Sequence, residues 1–236
     1  MRWMGVVRRI RVVCWLLLLC PLLGQAVELD AAQHAWLAEH PRLRAGVVLQ
    51  APYAEYQRRQ QQLGGLNVEL TETLASSLGI TLSWRSFETQ AALEQALRDG
   101  RIDFAPGQVQ TPAGLRLWRY SDPYLRIPHL LVGERLGEVS VELERLGERE
   151  PIAVRVPSMV ADYLRSNYFN LHLQPQPSAR QALQAVVEQR ARYAVVDQAQ
   201  LSRLSQESDY SRLAIIADVG LPQLLRLDRK STRLNS

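Results

Sequence analysis

The sequence predicts an α/β fold arranged as two lobes. Three observations predict it. Between residues 43 and 105, short apolar runs rich in β-branched residues alternate with stretches of helical spacing, in the order β-α-β-α-β. The same alternation returns between 152 and 216. A charged segment, 133–150, poor in apolar residues, separates the two blocks. A β-α-β order requires parallel strands joined by crossover helices. Two such blocks place the default ligand site in the cleft between them, outside the carboxyl ends of the strands.

Each element follows from its local pattern. Residues 28–40 read as a short amphipathic helix with Asp30 as N-cap and Pro41 after its end. Leu43 to Leu49 reads as a buried strand, and 50–64 as a polar loop ending at Gly64 and Gly65. Val68 to Leu78 carries apolar residues at helical spacing and stops at Gly79. Ile80 to Trp84 alternates as a strand, Ala91 to Arg98 is a helix, and Ile102 to Ala105 is a short strand. His129 to Val132 is extended and apolar. In the second block, 152–156, 171–173, 193–196 and 213–216 read as strands, and 160–168, 179–189 and 199–204 as helices.

The two ends stand outside this pattern. Arg2, Arg8, Arg9 and Arg11 precede an apolar run from Val12 to Leu23, and Gly24-Gln25-Ala26 supplies small residues for cleavage. That is the make-up of a signal peptide, residues 1–26. Cys14 and Cys20 both lie inside it, so the mature chain is expected to lack thiol chemistry. Residues 229–236, R-K-S-T-R-L-N-S, hold the chain's only lysine, Lys230, and read as a non-native tail, with a natural polar tail as the open alternative. Four basic residues lie in 1–26 and three in 229–236, which leaves 21 between them against all 24 acidic residues, a net charge of −3. The excess of positive charge therefore belongs to the ends, and nothing points to nucleic acid or an anionic membrane as a partner.

The motifs resemble those of the family 3 periplasmic solute-binding proteins, the polar amino-acid type with the Venus flytrap fold. The matching pieces are L-R-A-G-V (43–47), G-L-N-V-E-L-T-E-T-L-A-S-S-L-G (65–79), L-R-D-G-R-I-D (97–103), T-P (111–112), S-D-P-Y (121–124), I-A-V (152–154), D-Y-L (162–164) and Y-A-V-V-D (193–197). The resemblance implies a two-lobed, periplasmic-binding-protein-like type II fold, C-terminally truncated. It would comprise a lead-in helix (27–42), lobe 1 (43–132), a connector (133–150), lobe 2 (151–217) and a return segment (218–228). Lobe 1 would then lack closing elements, and the fragment is expected to be marginally stable.

The resemblance also supplies site residues. Amino-acid-binding members carry an arginine after the Thr-Pro turn that pairs with the ligand's α-carboxylate. Counted back from Ser-Asp-Pro-Tyr without a gap, that position is Gly114. Arg116 shares its face if the segment is extended and is turned away if it is helical. Both readings of Arg116, ligand contact and solvated arginine, stay open. The aromatic that packs on ligand aligns with Ala54, leaving Tyr53 and Tyr56 as substitutes. The next loop reads Gly107-Gln108-Val109, with Gln108 as its polar candidate. In lobe 2 the loop is Pro157-Ser158-Met159, where Pro157 removes a backbone donor and Ser158 is the candidate contact. Asp197 aligns with the partner of the ligand's amine; it is equally a helix N-cap, and one carboxylate can serve both. The expected ligand is thus an amine, another small molecule, or none, rather than an ordinary α-amino acid.

Three functions fit. The lead-in at 28–47 resembles that of flytrap domains in hybrid sensor histidine kinases, which implies a sensory input domain, with dimerisation and membrane attachment through modules beyond it. The alternative is a free solute-binding subunit of an ABC importer. An enzyme is the third, because some lytic transglycosylases carry such a domain. No catalytic motif, cofactor or metal pattern supports it: His34, His40, His129 and His172 are scattered and read as surface residues.

Overall fold

A computed structural model describes residues 29–57, 61–112, 114–134 and 141–230. The expected signal peptide and positions 231–236 lie outside the described residues. The chain divides into two units, residues 1–40 and 41–236. In the first, helix α1 (Ala31–Glu39) opens on a capping box. Asp30 accepts from the Gln33 backbone at 2.7 Å, and the Gln33 side chain accepts from Asp30 N at 2.8 Å.

The second unit is built on a curled mixed sheet. Its elements are β1 (Arg42–Val48), β2 (Glu55–Gln57), β3 (Gln62–Gly64), α2 (Leu66–Ser77), β4 (Thr81–Phe87), α3 (Gln90–Arg98), β5 (Phe104–Gln108), β6 (Trp118–Tyr120) and β7 (Leu125–Glu134). They continue with β8 (Ile152–Arg155), α4 (Met159–Asn167), β9 (Leu173–Gln176), α5 (Ala179–Val187), β10 (Tyr193–Asp197), α6 (Gln198–Leu204) and β11 (Leu213–Lys230). The strand order is β4-β1-β5-β11-β7-β10-β8-β9, with β6 beside β11 and a separate β2-β3 hairpin. β1 runs parallel to β4 and β5, and β8 runs parallel to β9 and β10. Two antiparallel neighbours, β7 and β11, carry the chain between the lobes.

The central parallel strands β8 and β10 are buried on both faces, as their unbroken apolar runs require, while the edge strands β4 and β9 are partly exposed. Ile152, Ala153 and Val154 are fully buried. One lobe 2 core packs Val132, Ala194 and Val196 against Leu183, Val186 and Leu204. The other packs Leu131, Val154 and Val195 against Val160 and Leu164. Lobe 1 is held by Leu93, Leu97 and Ile102 with Trp118, and by Val47 with Val68. Asp103 of the L-R-D-G-R-I-D stretch locks β5 to β1: it takes the Arg44 guanidinium as a fork, at 2.5 and 3.1 Å, and Arg44 N at 2.7 Å.

Several expectations change. α2 starts at Leu66, because its first free N–H groups find the carbonyls of Pro52 (3.0 Å) and Tyr53 (2.9 Å). The 133–150 segment is not merely a surface connector: Leu143 and Leu146 are buried in lobe 2, and Asn170 Nδ2 donates to both their carbonyls at 2.8 Å. His129 is buried rather than at the surface, with Nδ1 donating to Leu221 O at 2.7 Å. The short strand expected at 213–216 continues to Lys230. It changes partners on the way, from β7 to β5 and β6, so Arg229 lies opposite Phe104 and Arg119.

Candidate functional site

The cleft lies at the carboxyl ends of β1, β5, β8 and β10. After β1 the chain turns tightly: Tyr53 N and Ala54 N both bond to Gln50 O, at 2.8 and 2.9 Å. With Tyr53 O held by Asn67 N, the backbone of Tyr53 is fixed on both sides. Its ring is 5 % exposed, and its hydroxyl reaches across to lobe 2, donating to Asp197 Oδ1 at 2.7 Å. The run Tyr193-Ala-Val-Val buries β10 and delivers Asp197 to the cleft end of the strand. The same Oδ1 accepts from Gln200 N at 2.9 Å, capping α6. The N-cap reading of Asp197 therefore holds, and the same oxygen also takes the phenol of Tyr53. Burial, and then the Asp197 charge, push the Tyr53 hydroxyl well above the usual phenol range, against the opposing charge of Arg155. The group remains a donor at every working pH.

A second bridge joins the lobes. Arg203 on α6 pairs with Glu55 on β2, both partly exposed. Between the bridges and the hinge, Tyr53, Ile127 and Leu225 form an apolar cluster that Val109 of lobe 1 and Ala199 of lobe 2 also touch.

Gly114, the position that the resemblance aligns with the clamp arginine, is tightly packed. Gly114 is buried, and a Cβ there would collide with the Tyr120 hydroxyl and lie 3.0 Å from Thr111 Oγ1. Gly114 opens a 3₁₀ turn through Arg116, so the helical alternative holds and Arg116 is exposed. Gly107 takes φ +78°, and Asn67 packs so close that a side chain at 107 has no room. Asn67 Oδ1 accepts from the Tyr124 hydroxyl at 2.8 Å, which ties the S-D-P-Y turn to α2.

The remaining candidates are placed as follows. Gln108 is buried; it accepts from Gln90 Nε2 at 2.7 Å and donates to Pro106 O at 3.2 Å, both within lobe 1. Ser158 caps α4, accepting from Ala161 N at 3.2 Å and donating to Arg155 O at 2.5 Å. Tyr56 is 56 % exposed, with its hydroxyl 2.9 Å from Ser86 Oγ. The structure thus brings Tyr53 and Asp197 together and leaves Tyr56 and Arg116 apart from them. Sequence reasoning missed Glu55, Arg203, Asn67 and Arg155. Glu55 and Arg203 are 148 residues apart, and nothing local marks them as partners. Among the described residues no cluster of His, Cys, Asp and Glu suits a metal ion.

Two α/β lobes, a two-strand hinge and polar groups facing one another across the cleft define a hinged two-lobed domain. The chain belongs to the bacterial extracellular solute-binding proteins, family 3, whose profile matches residues 43–213. It is similar to the virulence sensor protein BvgS of Bordetella pertussis, with 27% identity over 141 residues, 56% of this chain and 11% of that protein. Among solved structures it resembles the periplasmic VFT2 domain of Bordetella pertussis BvgS, with TM-score 0.70, 21% identity and 86% of each chain covered. It also resembles a histidine kinase sensor domain similar to periplasmic binding proteins, with TM-score 0.66, 21% identity and coverage of 83% and 85%. The matched part of the chain therefore spans about a tenth of the length of BvgS.

Proposed function

We propose that this is a periplasmic ligand-sensing domain, the sensory input of a membrane-bound two-component sensor kinase. Residues 1–26 would direct export, and the kinase would follow the flytrap domain in a longer protein. The observation that carries the reading is the cleft itself. Tyr120 packs against Gly114, which the resemblance aligns with the family's carboxylate clamp, and Tyr53 engages Asp197, which it aligns with the amine partner. A transport subunit needs a pocket that holds cargo. A sensor needs only two lobe arrangements that an effector biases through differential affinity. The similarity to BvgS supports the same reading.

A second reading, a free importer subunit for a small amine-bearing solute, is favoured by Asp197 at the cleft end of β10. Sequencing the genomic frame past codon 228 separates the two. A frame that runs through an apolar span of about 20 residues into a kinase region is expected. A frame that stops soon after the lobe-closing elements assigns the importer reading instead.

A further inference from the structure

We infer that lobe 2 carries a second small-molecule site, at the end away from the cleft, built to take the carboxylate of a small organic acid. A cavity of about 410 Å³ opens there, within the size range of small-molecule sites. Pro151 and Arg192 line it, so it lies where β8 and β10 begin, whereas the cleft lies where they end. The run of β10 from Tyr193 to Asp197 puts about 13 Å between the two.

The floor is apolar and fixed by the backbone. Val186 and Ala191 are buried, and Pro151 completes the surface. Pro151 O accepts from Arg192 N at 2.8 Å and from Tyr193 N at 3.2 Å. Ala185 O accepts from Arg190 N at 2.8 Å and from Ala191 N at 3.0 Å, closing the end of α5. Between them Gln189 takes φ +58°, a left-handed position where glycine is the usual helix stop. The chain accepts a strained residue here, and its amide side chain, both donor and acceptor, joins the cavity wall.

The rim carries the charge. Arg149 and Arg192, both exposed, line the cavity with the half-buried Glu134. Among the described residues neither guanidinium forms an ion pair, whereas Arg165, Arg180 and Arg190 of the same lobe each pair with a carboxylate. Arg192 is held instead over the Tyr193 ring, 5.8 Å from its centroid. That ring lies on Gly133, where a Cβ would come within 2.8 Å of it, so the neighbouring strand is bare at that point. Two arginines against one glutamate leave a single positive charge, which matches a monoanion. A guanidinium takes a carboxylate through two parallel N–H···O bonds. The apolar floor takes the hydrocarbon body, and Glu134 and Gln189 are left for a hydroxyl or amide group of the acid.

The test is isothermal titration calorimetry of the full chain with hexanoate, and with hexanamide as its neutral counterpart. Wild type is expected to bind hexanoate at millimolar concentration and hexanamide about tenfold more weakly. Arg149→Gln and Arg192→Gln are each expected to weaken hexanoate by about tenfold, and the double variant to abolish its heat of binding. Arg165→Gln removes a paired arginine from the same lobe and is expected to change nothing. Each variant is first checked for a wild-type thermal melt. Should one fail that check, amide NMR of wild type decides: hexanoate is expected to shift Ala191 and Arg192 and to leave Asp197 and Gly107 in place. No binding, equal affinity for hexanamide, an unweakened double variant, a loss in Arg165→Gln, or shifts confined to the cleft residues each overturns the site. The site shares no residue with the cleft, so it stands or falls apart from the sensor reading.

Discussion

Asp197 meets two demands with one oxygen, holding the first turn of α6 and the hydroxyl of Tyr53. Asp197→Ala removes a cap and leaves a buried phenol unpaired, so it is expected to cost about 2–4 kcal/mol in urea denaturation. Asp197→Asn keeps an accepting oxygen and should cost about 1 kcal/mol. A similar cost for both would show that the accepting oxygen contributes nothing. Gly114→Arg places an arginine where the resemblance expects one but drives a Cβ into Tyr120. It is expected to lose about 1–3 kcal/mol by overpacking, with part regained in Gly114→Arg/Tyr120→Ala. Asp228 is a third case. It is 2 % exposed, and its Oδ1 has no partner. Burial, then the nearby Glu94 charge, push it up to about 7, against a backbone hydrogen bond from Ala105. The folded chain keeps a proton that the unfolded chain releases near pH 4, so stability falls as pH rises from about 4 to about 7. Asp228→Asn is expected to melt above wild type at pH 8 and level with it at pH 4. At this scale Gly114 was legible as a departure from the motif the resemblance implies, because an ungapped count to Ser-Asp-Pro-Tyr fixes its place. The choice between Tyr53 and Tyr56 was not. It depends on the turn at Gln50, whose hydrogen bonds no residue pattern announces.

Elements were legible where a cap or a run of β-branched residues marked them. Asp30 and Asp197 were read as N-caps and cap α1 and α6, while Ser158 and Ser178, not read as caps, also cap α4 and α5. Ser158→Ala is expected to cost about 1 kcal/mol, read from a shift of the urea midpoint at constant slope. An unchanged midpoint would leave Ser158 without a structural role. The apolar runs at 152–154 and 193–196 predicted buried parallel strands, and their burial follows. β11 was legible only at its start. Its later residues, Gln223 to Asp228, mix polar and apolar side chains, because one half faces β7 and the other half faces β5 and β6. A strand that changes neighbours has no single period to read. Leu143 and Leu146 were hidden for a related reason: two anchoring leucines in a charged stretch do not make a pattern.

Over the whole molecule the lobes are unequally built. Among the described residues, the two lobe 2 cores hold 14 and 11 buried residues, against 6 and 3 in the two lobe 1 clusters. Lobe 1 is therefore expected to open first, since local stability follows buried apolar contact. Hydrogen exchange should find the amides of β1 and β4 less protected than those of β8 and β10. Equal protection would mean that the lobes unfold as one. The two-lobe plan was legible from the repeated β-α-β order, whereas the contacts that cross the cleft were not, since they join residues far apart in the chain. The hinge shows how such contacts could be felt at a distance. Pro128 of β7 faces Pro222 of β11, and neither has an N–H for the ladder. Beside them the register slips between Asp218 and Pro222, where Gly220 takes φ +79°. The ladder is loosened along this line, with further register shifts at Ile215/Ala217 and Arg226/Asp228, so the two strands serve as an axle between two plates. A small turn about that axle sweeps the far edges of the plates through a much longer arc. A small rotation at the hinge is thereby converted into a larger displacement at the edge strands β4 and β9.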